Sequence, residues 1–444
     1  MNIKLLFVLV ATMLSMASCN PNSQKWKVGG KNVNSSTFEL HGGQSAIYGG
    51  NLKNFHFKAQ ITHSEGTKAS FWVHSEKNLT KGYSILIGNP SDDRRRSGSL
   101  SSIRNRYKSS ASSFDFEIKV EGKQVQVLID SMKVVDYLEP ANPYRLPVNA
   151  AQLFSSGLIG FRVESGTLNV TDANISILAD DLPNYPAEKE PFNEQNDKVI
   201  RLQQQNFPVI DYHVHASRRE LNWEEWHEKS LADGVEYTFA FNSGIGHQFQ
   251  SNEQVANFFA NNPRLPFFYA MQGEGREWVE IFSKESREMF DLIFADHLTF
   301  HDHKGRRIRL WVESEPIIDI PEQEYMDMII DRTIKMLNEE PIDIWVNATR
   351  LAIPMMENYD TLWTDERIAK VVKALKDNNI ALEINARDKV PSAKIIKAAK
   401  AAGVKFALGT NNNNVQQLDR LEYPIRMVEE CGLTIDDMWF PKEK

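Results

Sequence analysis

From Phe55 to about Leu178 the apolar positions recur at every second residue. Phe55, Phe57, Ala59 and Ile61 share one face of a run, and Tyr83, Ile85 and Ile87 share a face of another. Phe114, Phe116, Ile118 and Val120 repeat the pattern, followed by Val125, Val127 and Ile129. A period of two is the signature of a half-buried strand. Turn-forming groups such as Glu121-Gly122-Lys123 and Ser165-Gly166-Thr167 separate the runs at short intervals, with no helical stretch between them. The pattern predicts an all-β sandwich or jelly roll.

The period changes beyond residue 207. Apolar runs at Val209–Val214, Val235–Asn242, Pro266–Met271, Leu292–Ala295, Ile342–Asn347, Ile380–Asn385 and Val404–Gly409 read as strands. Between them the spacing becomes helical, as at Ile368, Val371, Val372 and Leu375 with Thr364 as N-cap, and again from Ser392 to Ala402 before Gly403. Repeated strand–helix units predict a parallel sheet, and seven without a glycine fingerprint predict a barrel, with a doubly wound open sheet as the alternative. The stretch 179–206 is polar and punctuated by Pro183, Pro186 and Pro191, and reads as a linker ending in a short helix near Lys198–Gln205. The expected organisation is therefore 31–178 for the sandwich, 179–206 for the linker and 207–444 for the α/β barrel.

Functional groups in such barrels gather at the carboxyl ends of the strands. Those ends carry His213-Val214-His215, Asn242, Glu274, Asp296-His297, Asn347, Glu383 with Asn385, and Asn411 to Asn414. Two histidines two apart on a strand point to one side and can bind a single metal ion. Glu274 lies between Gly273 and Gly275, which suits either close backbone approach to a ligand or a tight turn. Arg276, Arg350 and Arg387 follow the third, fifth and sixth strands and suit an anionic or polyol substrate. The stretch His297–Pro321 reads as a lid over the barrel mouth or as packing against the sandwich.

Composition narrows the class. The 444 residues are 41% hydrophobic and 25% charged, with a formal net charge of −8. That is a globular balance, and it argues against a nucleic-acid partner held by phosphate neutralisation. Arg94-Arg95-Arg96, after Asp92-Asp93, reads as a solvated loop. Residues 1–18 have the form of a signal peptide, with Lys4 before an apolar run from Leu5 to Leu14. Met16-Ala17-Ser18-Cys19 resembles a bacterial lipoprotein signal-peptidase box. That resemblance implies lipidation at Cys19, a tether over 19–30, and an outer-membrane anchor facing the periplasm. The only other cysteine, Cys431, precedes Gly432 in a helical pattern, so the cores must hold the fold without a disulfide.

Two further resemblances rest on longer runs of the chain. Asn54-Phe55-His56-Phe57-Lys58-Ala59, Ala69-Ser70-Phe71-Trp72-Val73-His74, Gly82-Tyr83-Ser84-Ile85-Leu86-Ile87 and Gly157-Leu158-Ile159-Gly160-Phe161-Arg162-Val163 are similar to the 3-keto-disaccharide hydrolase family of concanavalin-like jelly rolls. Where that family typically has arginine and glutamate, this chain has His74 and Ser84, so the resemblance implies sugar binding through Trp72 and Tyr83 rather than catalysis, unless those rings belong to the core. Asp211-Tyr212-His213-Val214-His215, Glu274, His297 and Ala381-Leu382-Glu383-Ile384-Asn385 resemble the polymerase and histidinol phosphatase superfamily, a distorted seven-stranded barrel of metal-dependent hydrolases. The usual fifth-strand histidine is Asn347, and the usual Gly-Ser-Asp-Ala-His ending is Gly409-Thr410-Asn411-Asn412-Asn413. The resemblance then implies one divalent ion on His213, His215, Glu274 and His297, or none.

Together these readings predict a lipid-anchored periplasmic hydrolase or lyase on glycosides or keto-glycosides, with its chemistry in the barrel. Glu274, Arg276 and Glu383 are the expected catalytic residues. Trp72, Tyr83, Asn347, Arg350, Asn385, Arg387 and Asn411 are the expected substrate contacts. The alternatives are a non-catalytic glycan-binding lipoprotein and a metal-dependent phosphoesterase.

Overall fold

The computed structural model describes residues 26–180, 194–216, 220–262, 264–417 and 421–442. The signal segment and Cys19 lie outside the described residues, as does most of the proline-rich part of the linker. Among the described residues no helix is long and apolar enough to cross a membrane.

The first half folds as two six-stranded antiparallel sheets. In Phe55–His63 every second side chain is buried, as the alternating sequence requires. The facing rings of Trp26, Phe57, Phe71, Phe116 and Phe161 form the centre of the core, with Phe57 stacked on Phe71 at 4.6 Å and Phe71 edge-on to Phe161 at 4.9 Å. The end of the linker belongs to this unit. Asp197 caps the helix Lys198–Gln204 by accepting from the Ile200 amide at 2.8 Å, and Ile200 is buried in the jelly-roll core.

The second half is a closed barrel of seven parallel strands. They are Ile210–Val214, Glu236–Ser243, Phe268–Gly273, Leu292–Ala295, Ile344–Trp345, Ala381–Asn385 and Phe406–Gly409. The first strand pairs with the last at Asp211 and Leu408, which closes the circle and rules out the open sheet. Ile210, Tyr212, Ala240, Phe268, Ala270, Leu292, Phe294, Ile344, Ala381 and Ala407 fill the interior, while their neighbours Phe239, Phe241, Trp345, Leu382 and Phe406 pack outward under the helices. Thr364 and Ser392 stand at the N-caps where the helical spacing placed them, and the Thr364 hydroxyl accepts from the Arg367 amide at 3.3 Å.

One loop expectation needs correction. Arg94-Arg95-Arg96 is not simply solvated: Arg96 is buried, and Arg95 pairs with Asp93 and donates to Asn206 of the linker at 3.0 Å. The stretch 297–321 contains a two-stranded hairpin, Thr299–His301 with Arg307–Arg309. It stands at the barrel's rim, where the Arg307 guanidinium reaches Glu277 at 3.9 Å.

Candidate active site at the barrel mouth

Parallel strands bring all their carboxyl ends to one mouth, so residues distant in sequence meet there. His213 and Glu383, both fully buried, are joined by a 2.6 Å hydrogen bond from Nδ1 to Oε1. The other Glu383 oxygen accepts from the Asn347 amide at 2.6 Å and from Asn385 Nδ2 at 3.0 Å. Burial opposes the Glu383 charge, but the adjacent His213 and these donors outweigh it, so the carboxyl stays ionised below its ordinary range. Gly409 makes room for the pair. A Cβ there would lie 2.3 Å from Glu383 Oε1 and 2.9 Å from His213 Cβ.

Asparagine amides extend this pair into a network. Asn347 and Asn411 both adopt left-handed backbone, at φ 49° and 48°, a conformation asparagine tolerates better than most residues. Asn347 Oδ1 accepts from Asn411 at 2.5 Å and Asn385 at 3.2 Å, and Asn347 Nδ2 donates to Asp296 at 2.9 Å. His215 lies beside His213, ring centres 5.0 Å apart, near the Asn411 and Asn242 side chains. Burial first, and then the neighbouring His213, push the His215 pKa down to about 3, so it is neutral.

Glu274 closes the far side. Asn242 Nδ2 and Gln272 Nε2 both donate to its Oε1, at 2.5 and 3.1 Å. Burial first, then the Asp296 charge, push its pKa up to about 8, so it holds a proton at neutral pH. Because both amides occupy Oε1, the proton resides on Oε2. Among the described residues, the buried His213 Nε2 and Gln272 Oε1 at this mouth have no partner. Groups so buried are ordinarily satisfied, which marks both as places for a ligand.

The donor set does not fit a metal centre. Among the described residues no group of three or more histidine, cysteine or carboxylate side chains converges on one point. Glu274 is protonated with its Oε1 taken by amides, and the intervening positions are neutral asparagines. His297 is turned away altogether. Its Nδ1 accepts from Trp345 Nε1 at 3.2 Å and its Nε2–H donates to the Arg350 carbonyl at 2.9 Å, outside the barrel wall. Asp296, one residue earlier, faces the mouth instead.

Burial is the main cause that lowers the His297 pKa from 6.5 to about 4. In that window the unfolded chain binds a proton that the fold refuses, so stability is lost as pH falls from 6.5 towards 4. The contribution is on the order of 3 kcal/mol. His297→Gln keeps both hydrogen-bonding roles, and urea unfolding at pH 4.5 and 7 should show a shallower acid loss than the parent.

Other expected site residues fall in different places. Arg276 donates to Glu340 at 2.8 Å and to the Asp296 carbonyl at 2.7 Å, so it braces the mouth from outside. Glu383 is shielded behind His213 and positions it, without an open face of its own. Arg350 and Arg387 both reach Asp388 on the rim, at 3.2 and 3.4 Å, and Arg387 also donates to Asn413 at 3.0 Å. In the jelly roll, Tyr83 is fully buried, donating to Glu139 at 2.5 Å and accepting from Arg145 at 2.9 Å, and has no ring face for a sugar. Trp72 is partly exposed. Gln272 and Gly409 escaped the sequence reading. Gln272 sits two residues before Glu274 on one strand face, a parity that points to it; nothing local marks Gly409.

Residues 20–177 match the family model of the 3-keto-alpha-glucoside-1,2-lyase-like domain. Similar solved structures include a protein described provisionally as a glycosyl hydrolase from Parabacteroides distasonis, 10% identical, covering 35% of this chain and 88% of that one, with a TM-score of 0.31. A second such protein from the same organism is 13% identical over 33% and 89% of the chains, TM-score 0.28. A carbohydrate-binding module from Bacillus subtilis is 14% identical over 32% and 84%, TM-score 0.24. No curated protein matches the chain. Residues 20–177 are thus similar to the 3-keto-alpha-glucoside-1,2-lyase-like domain, and in this chain they precede a closed seven-stranded parallel barrel.

Proposed function

We propose that this is a carbohydrate-active enzyme, lipid-anchored at Cys19 and facing the periplasm, whose barrel mouth performs metal-free acid–base chemistry on glycosides or keto-glycosides. The observation that carries this reading is the buried, unpartnered His213 Nε2, with Nδ1 held on Glu383 at 2.6 Å. A carboxylate on Nδ1 fixes the proton there and leaves the Nε2 lone pair available as a base.

A 3-keto-glycoside suits this arrangement. Its C2 proton is acidic because it is adjacent to the C3 carbonyl. His213 Nε2 removes that proton, and the C2–H electrons delocalise onto O3 as an enolate. Neutral amide donors around the mouth stabilise the developing charge without neutralising the base. The enolate electrons then form the C1–C2 double bond as the C1–O1 bond breaks. The leaving alkoxide takes the proton from Glu274 Oε2. Water replacing the aglycone would complete a net hydrolysis.

A second reading, glycan binding without turnover, is favoured by the amides of Asn242, Asn347, Asn385 and Asn411, which match sugar hydroxyls. A panel of glycosides and their 3-keto derivatives separates the two. The enzyme reading expects turnover of at least one 3-keto-glycoside, undiminished after dialysis against EDTA. Binding without turnover across the panel selects the second reading, and loss of turnover restored by a divalent ion returns a metal to the mouth.

A further inference from the structure

The opposite end of the barrel meets the jelly roll. The Tyr107 and Lys108 amides donate to the Glu236 carboxylate at 2.7 and 2.9 Å, and the Lys108 ammonium pairs with Asp291. The C-terminal segment returns beneath the strands: the Trp439 amide donates to the Phe406 carbonyl at 2.9 Å, and its own carbonyl accepts from the Tyr212 hydroxyl at 3.0 Å. Between this segment and the jelly-roll loops lies a cleft of about 850 Å³. It is within the size range of small-molecule sites.

Its charge runs against that of the chain. The protein carries a net −8, yet Arg94, Arg96, Lys405 and Lys442 line this cleft, with Glu65 the single carboxylate among the described lining residues. Among the described residues no carboxylate pairs with Arg94, Lys405 or Lys442. Arg94 lies over the Phe440 ring at 5.4 Å, and Lys405 donates to the Asp436 carbonyl, a neutral partner that leaves its charge uncompensated. Excess positive potential in a concave, low-dielectric site concentrates anions.

Two buried acceptors also line the cleft. His63 is 5% exposed, and its Nδ1–H donates to the Ser64 carbonyl at 3.0 Å, which leaves Nε2 as an acceptor without a donor. Asn89 Oδ1 is likewise unpartnered. A small inorganic anion brings few or no donors to these atoms, whereas the several hydroxyls of a sugar can donate to both. The partly exposed rings of Trp439 and Phe440 add apolar surface for a pyranose face.

We propose that the interdomain cleft is a second ligand site that binds an acidic saccharide, a uronate-bearing sugar held by its carboxylates at Arg94, Lys405 and Lys442 and by its hydroxyls at His63 and Asn89. It is separate from the barrel mouth and does not depend on turnover there. Calorimetric titration of the full-length protein with trigalacturonate, cellotriose and inorganic phosphate at one ionic strength tests it. Trigalacturonate should bind about tenfold or more tighter than either control, and the double variant Arg94→Glu, Lys442→Glu should lose about tenfold of that affinity. Both side chains are exposed, so melting temperature and mouth turnover should not move. Equal binding of cellotriose removes the charge requirement, equal binding of phosphate removes the sugar, and an unchanged double variant removes the cleft; each overturns the proposal.

Discussion

His213→Gln is expected to lower kcat by roughly 10²- to 10⁴-fold with little change in KM, the range seen when a positioned general base is lost. Glutamine retains an N–H that can donate to Glu383, so the buried carboxylate is not left alone and the barrel should still fold. It has no basic lone pair to replace Nε2. Glu383→Gln tests the same assignment from behind. A neutral amide no longer holds the proton on Nδ1 and no longer stabilises a protonated His213, so turnover should fall while substrate affinity stays near the parent value. Steady-state kinetics on the best substrate of the panel, with circular dichroism to confirm folding, measures both. Activity within about threefold of the parent for His213→Gln would remove His213 from the chemistry.

Gly409→Ala should be the most damaging single-methyl change in the barrel. Its Cβ would meet Glu383 Oε1 at 2.3 Å and His213 Cβ at 2.9 Å, neither at the end of a flexible surface chain. Glu383 cannot retreat without giving up the Asn347 and Asn385 donors, and His213 cannot without breaking the 2.6 Å bond. The backbone at 409 is not left-handed, so the penalty is steric rather than conformational. Overpacking of this kind costs about 1–3 kcal/mol, and a buried carboxylate stripped of a partner adds to it. A fall in melting temperature of roughly 5 °C or more should accompany a turnover loss of at least about tenfold. An alanine variant with parental stability and kinetics would show that the dyad is not clamped as described.

The strands were legible because their cause is local. Alternation of apolar and polar positions reports burial on one face, and each expected barrel strand is found within a few residues of its place. The residues at the mouth were legible for the same reason, since a parallel barrel sends every strand end to one side. Their partnerships were not. His213 and Glu383 are 170 positions apart, and only closure of the barrel makes them neighbours. His297 shows how fine the distinction is: one step of strand parity puts Asp296 at the mouth and His297 behind the wall. Whether Tyr83 was core or accessible stayed open because Arg145 and Glu139, which engage its hydroxyl, are distant in sequence.

The amino-acid sequence by itself determined the two halves, their strand periods, and the set of polar groups offered at the barrel's mouth, because each depends on residues within a few positions of one another. Only the tertiary structure decided which of those groups act together. It tied His213 to Glu383 across the closed barrel, left Nε2 buried and unpartnered, raised the Glu274 pKa through burial and Asp296, and opened a basic cleft where the two halves meet. Burial, strand parity and long-range pairing set those properties, and none of them has a local signature.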